Sequence, residues 1–225
     1  MRKLTKATAI QAIRDHGILL VYPIAGKEDP LSLWSVAYPK SKMRWEWDED
    51  GDDRVATLWH LREELSRSRK VVYAKWFQGR ATFFSLEVFQ ALLALQLREK
   101  NFREKLSRDA KELLAILEEE STQSTKQLKR ASGLVGRNLE SVYNRAMKEL
   151  WSRNLIVAYG EVDEGAFPSL AVGATKLIFE DLYLEALAVS TMQAREILLP
   201  VIVGSPALLR FYQRQEKFFG LSPVL

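Results

Sequence analysis

Cysteine is absent from the 225 residues, which excludes disulfides, thiolate nucleophiles and Cys-ligated zinc or iron–sulfur centres. Histidine is almost as scarce, with only His16 and His60. His16 ends a helical pattern, where it meets the negative end of the helix dipole, and His60 follows Trp59 on another helix. Neither belongs to a triad spacing, and both read as structural. No Walker loop and no dinucleotide glycine fingerprint occurs. Carboxylates are abundant, yet no pair stands out as general acid and base. Long apolar runs are missing too. The stretch 91–97 contains Gln96, and 197–209 is broken by Pro200, Gly204 and Pro206; neither reaches the ~20 apolar residues of a spanning helix. The N-terminus lacks the apolar region of a secretory signal. These absences lead us to expect a soluble, cytoplasmic protein that needs no cofactor, metal or membrane.

What is present is a chain with 47% apolar and 28% charged residues. That is enough for a substantial core and permits one large domain or two small ones. The net charge of +4 and the isoelectric point near 9.2 permit contact with nucleic acid without demanding it. The distribution of charge matters more than its sum.

The most ordered pattern runs from 108 to 179. Ala110, Leu113, Leu114 and Leu117 have helical spacing. Ser and Thr at 121–125 offer N-cap oxygens to a short helix at 126–131, which stops at Ser132-Gly133. A third helix is expected over 138–154, with Leu139, Val142, Tyr143, Ala146 and Leu150 inward. Residues 155–162 are then rich in β-formers, Asp163-Glu164-Gly165 is a turn signal, and 169–179 reads as a returning strand. This order is that of a winged helix-turn-helix. The expected fold is therefore mainly α with small β-hairpins, built on a winged helix-turn-helix, with tandem winged helices as the wider version. The expected division is an N-terminal helical or winged-helix-like part at 1–107, the winged helix-turn-helix at 108–179, and C-terminal helices packed on the body at 180–225.

The third helix of that unit turns Arg137, Asn138, Ser141, Asn144, Arg145 and Lys148 outward. These are donors suited to phosphates and base edges. Over 124–153, seven Lys or Arg face two Glu, although most charged helix faces are simply solvated.

Earlier in the chain, helices are expected at 5–16, 31–38 and 54–66, a buried extended segment at 18–24, and a long buried helix at 85–106. Between 46 and 53 lie six carboxylates, with Trp45 and Trp47. The spacing fails as a calcium loop, having no Gly at the sixth position and no Glu at the twelfth, and reads as a strand entering an acidic turn. Residues 71–85 read as a hairpin with Gln78-Gly79 at its turn. Lys75 and Arg80 belong to a basic cluster around it, and its aromatics Tyr73, Trp76 and Phe77 read as core, with base stacking as the alternative. After 179 the chain is helical over 180–197, broken at 200–206, and helical again over 207–219.

The run Arg137-Asn138-Leu139-Glu140, Met147-Lys148-Glu149-Leu150-Trp151 and 155–168 resembles the winged-helix region of bacterial proteins related to the AlkZ-like (YcaQ-like) DNA glycosylases. The segment 17–24, ending in Tyr22-Pro23-Ile24, is similar to their early strand-like segment. The resemblance covers roughly two-thirds of the chain. It implies a DNA-binding architecture with double-stranded DNA as partner and a link to DNA repair. The glycosylases of that group carry two glutamines, one apolar residue apart, just before the matching proline. With Pro23 as that proline, Leu20 and Tyr22 stand in their places, so the catalytic residues do not carry over. The first reading is therefore a DNA-binding winged-helix protein without glycosylase activity, or with only a vestige of it. One alternative is a glycosylase that hydrolyses the N-glycosidic bond of alkylated or crosslinked bases with a non-standard group, such as a carboxylate near Trp45 and Trp47. The other is a winged-helix module that binds protein.

Overall fold

The computed structural model describes residues 4–39, 41–44, 52–99, 101–162 and 168–219. The acidic stretch with Trp45 and Trp47 and the turn at 163–165 lie outside the described residues.

The first half of the chain opens with helix α1 (Lys6–His16), capped by Thr5, whose hydroxyl accepts from the Thr8 N–H. Strand β1 (Ile18–Leu20) follows, then α2 (Leu33–Ala37) and α3 (Asp53–Arg67), which Asp52 caps. Next come β2 (Val72–Ala74), β3 (Thr82–Phe84) and α4 (Leu86–Leu97). β2 and β3 form the expected hairpin, with Tyr73 opposite Phe83. At its turn Gln78 and Gly79 both have positive φ, +54° and +75°. Tyr73, Trp76 and Phe77 are buried, as the core reading expects.

The second half holds α5 (Arg108–Glu119), β4 (Gln123–Ser124), α6 (Thr125–Ala131), α7 (Glu140–Ser152), β5 (Ile156–Val162) and β6 (Ser169–Ala174). It ends with α8 (Thr175–Ile178), α9 (Glu180–Ala188), α10 (Thr191–Val203) and α11 (Pro206–Phe219). The architecture is mainly helical with one small antiparallel sheet of six strands, in the order β1-β3-β2-β5-β6-β4. The pairing of Tyr73 with Ala158 joins the N-terminal hairpin to the hairpin of β5 and β6. One hydrophobic cluster runs from Leu4 to Tyr212. Near its centre lies α4, buried on nearly every side, with α9 and α10 packed against it. N-terminal and C-terminal helices thus contribute to one core.

Several expected boundaries are corrected. The helix expected over 85–106 ends at Leu97, because Glu99 turns inward to a buried ion pair instead of continuing the helix. The returning strand ends at Ala174. There the Thr175 hydroxyl donates to the Asn154 carbonyl at 2.7 Å and α8 begins. The break expected over 200–206 falls at Gly204-Ser205, between α10 and α11, and a second, unexpected break falls at Val189-Ser190. Ser190 caps α10, and Arg98 donates to the Val189 carbonyl at 2.6 and 3.0 Å. Pro200 sits inside α10, where it forfeits one intrahelical hydrogen bond while Ala194, Leu198 and Ile202 anchor the helix in the core. Phe218, near the end of α11, is exposed. Among the described residues no single helix is long and apolar enough to cross a membrane, although the bent pair α9 and α10 passes that test together by composition.

A bulge in β5 gives a first prediction. The register against β6 shifts between Ala158 and Glu161, and Gly160 takes φ +78° there. Arg67 lies across it, donating to the Glu161 carbonyl at 2.7 Å and to Glu63 at 2.8 Å. A Cβ on residue 160 would stand 2.4 Å from the Arg67 guanidinium carbon. Gly160→Ala is therefore expected to destabilise by at least the ~1–2 kcal/mol of left-handed backbone. An unchanged denaturation midpoint would refute it.

Candidate nucleic-acid interface

Local chemistry sets α7 in place. Ser124 accepts from the Gln127 N–H at 3.0 Å, while the Gln127 side chain accepts from the Ser124 N–H at 2.7 Å. This reciprocal cap fixes the start of α6, whose Leu128 is buried. The chain then turns through residues 132–139 into α7. α7 buries Tyr143, Ala146, Met147, Leu150 and Trp151, a stripe at i, i+3, i+4, i+7 and i+8.

That stripe is rotated from the one expected. Leu139 is 37% exposed and precedes the helix at its N-cap position, and Val142 is only half-buried. Met147 and Trp151 take the inward places instead. The polar face survives the rotation: Ser141, Asn144, Arg145 and Lys148 are all exposed. Arg137 and Asn138 are exposed as well, but they lie in the turn before the helix, which starts at Glu140. Arg153, counted with the basic residues of this stretch, is instead buried against Glu99 at 2.9 Å.

Beside α7 is a cleft of about 430 Å³. Lys75, Gln78 and Gly79 of the hairpin form one wall. Asn144 and Lys148 of α7 form the other, with Thr125 and Lys129 of α6 nearby and Met147, Trp151 and Leu170 completing the lining. The fold thus brings Lys75 to the same cavity as Asn144 and Lys148, about 70 residues away in the chain. Arg80, exposed, is not part of the lining. Among the described residues no carboxylate lines the cleft. Lys129 is held at 2.6 Å from Glu140 and stands 4.8 Å above the Tyr143 ring. Glu140 also accepts from Asn144 at 3.4 Å. The half-buried Lys75 ammonium is pushed below the usual lysine range, first by burial and then by the charge of Arg62. A buried aromatic floor under three lysines and an amide has the chemistry to take a phosphate-bearing ligand.

A second polar cluster escaped the sequence reading. The Arg62 guanidinium is buried, donates to the Glu161 carboxylate and to the Tyr73 hydroxyl at 3.4 Å, and stacks 4.0 Å from the Trp59 ring. Arg62 and Glu161 are 99 residues apart, so no local spacing couples them. The available signal was Arg62 itself, a charged residue within the buried stripe Val55, Leu58, Leu61, Leu65 of α3. Tyr22 faces this cluster. Burial pushes its hydroxyl up to about 12, with Tyr73 and Glu161 adding and Arg62 opposing. Leu20, paired with Thr82 in the sheet, is buried. His16 and His60 are both exposed.

A protein-family model described as "AlkZ related" matches residues 4–201. No curated protein matches, and no solved structure does. The match takes in the hairpin, α7, the cleft between them and the Arg62 cluster, so the chain belongs to the AlkZ-related family.

Proposed function

We propose that this protein binds double-stranded DNA, with residues 108–179 acting as a winged helix-turn-helix, and that it lacks the glutamine-based glycosylase chemistry of the AlkZ-like enzymes. The observation that carries the reading is the cleft itself, where Lys75, Lys129, Lys148 and Asn144 converge, among the described residues without a lining carboxylate, beside the exposed polar face of α7. The order of α5, β4, α6, α7, β5 and β6 supports the winged-helix assignment. In this reading α7 lies in the major groove. Arg137, Asn138 and Ser141 approach base edges, while Arg145 and Lys148 meet phosphates. Lys75 and Arg80 reach the backbone from the hairpin. Leu20 and Tyr22 leave no amide to orient a water, and the Arg62–Glu161 pair next to Tyr22 is locked into a buried network.

The test is a titration of a labelled duplex at several salt concentrations. Arg145→Ala and Lys148→Ala are each expected to lower the slope of log affinity against log salt by about 0.9 without changing the circular dichroism melt. Arg137→Ala is expected to weaken binding and to alter the preference among duplexes if it reads a guanine. Wild-type slopes in the triple variant would refute this face as the contact surface. Absence of duplex binding by the parent protein would refute the reading as a whole. Release of free base from alkylated or crosslinked duplexes would overturn the non-catalytic part.

A further inference from the structure

The cleft contains a group that simple phosphate contact does not require. Lys75 sits between Ala74 and Trp76, both buried, so its backbone is set firmly in the hairpin. Its side chain lines the cleft and, among the described residues, makes no hydrogen bond or ion pair. Lys129 differs, being tied to Glu140 at 2.6 Å. Lys148 differs again, lying on the exposed face of α7. A phosphate-binding lysine works best fully charged, whereas a lysine held half out of water near a guanidinium is suited to attack a carbonyl carbon. In DNA the carbonyl available to such an amine is the aldehyde of a deoxyribose that has lost its base.

We propose that Lys75 captures abasic sites in DNA as an imine with the sugar aldehyde. This rests on the reading of the cleft as a DNA interface. The unprotonated Nζ adds to the aldehyde carbon C1′, forming a C–N bond and a carbinolamine. The former carbonyl oxygen then leaves as water, taking the two protons that the amine gives up, and a C=N bond remains. No oxidant or reductant is consumed, and water reverses the step. Lys148 and Asn144, across the cleft, hold the flanking phosphates. Burial and the neighbouring Arg62 charge, which disfavour the ammonium form, support the assignment.

The experiment uses the full chain and a duplex with a single abasic site. Sodium cyanoborohydride reduces any imine to a stable secondary amine, and the adduct is mapped by peptide mass spectrometry. The expected result is an adduct mainly on Lys75, absent with the intact duplex. Lys75→Arg keeps the charge but has no amine able to form the adduct, and its yield is expected to fall by about tenfold or more. Lys148→Ala is expected to weaken duplex binding and lower the adduct yield, with the adduct that does form still mapping to Lys75. An adduct mapped to Lys148 or Lys129, or spread over many lysines, would overturn the assignment without any variant. So would undiminished yield in Lys75→Arg. Binding of the same proteins to the intact duplex separates the two levels. If the duplex binds and no adduct forms, the Lys75 assignment alone fails. If neither duplex binds, the DNA reading fails and this inference with it.

Discussion

Replacing Glu99 with alanine is expected to destabilise the protein by about 3–5 kcal/mol, the range for removing one partner of a buried ion pair. Glu99 follows α4 and is almost fully buried. One carboxylate oxygen accepts from Arg153 at 2.9 Å and from Gln96 at 3.0 Å; the other accepts from Lys105 at 2.7 Å. Arg153 is itself buried, with the Glu149 carboxylate farther off at 4.0 Å. The buried charge on Arg153 would then lose the carboxylate 2.9 Å from it. Lys105 is about half exposed and would return to water at little cost. Glu99→Gln keeps the volume and part of the hydrogen bonding, and is expected to lose less than Glu99→Ala. Chemical denaturation of both variants measures the difference, and an unperturbed midpoint in Glu99→Ala would refute the role. The same network has a pH signature. Burial alone would raise the Glu99 carboxyl, but hydrogen bonds from Lys105 and Arg153, with their charge, outweigh it and hold the group below the ordinary value of 4.5. Its stabilising contribution is therefore complete above that ordinary value and is lost as pH falls through the lower folded-state value.

Trp151→Ala is expected to cost about 3–5 kcal/mol, because truncating a buried ring leaves its lost transfer energy and a cavity. The ring is 5% exposed. It lies on the last turn of α7, with Met147 one turn earlier, and forms part of the floor of the cleft. The expected fall in melting temperature is roughly 6–20 °C at ~2–4 °C per kcal/mol for a chain of this size. Trp151→Phe keeps most of the apolar volume and is expected to lose much less. An unaltered melt in Trp151→Ala would mean that the ring does not support the fold, and would reopen it as a residue on which a base stacks.

Much of the architecture was legible because its signals are local. The order of α5, α6 and α7 is written in the leucine spacing of 110–117, the cap at Ser124 and the stop at Ser132-Gly133. The hairpin at 72–84 shows in its β-formers and its Gln78-Gly79 turn. The exposed donors of α7 follow from helical period. Local rules failed where a distant partner decided the outcome. Pro200 remains within a helix because α10 is pinned by its core contacts, and the chain breaks additionally at Val189, where Arg98, just after α4, holds the carbonyl. Leu139 reads as a core residue by its hydrophobicity, yet α7 has not begun there.

Sequence by itself therefore determined the helical content, the two hairpins, the polar face of α7, and the exclusion of cysteine chemistry. Each depends on periodicity, turn chemistry or residue type within a few positions. Only the tertiary structure decided that the two hairpins share one sheet through Tyr73 and Ala158, that Lys75 faces Asn144 and Lys148 across a cleft, and that Arg62 finds Glu161. Those pairings join residues roughly 70–100 positions apart. They form because burying the shared core outweighs the entropy of closing such loops, which rises only slowly with length and leaves no local trace in the chain.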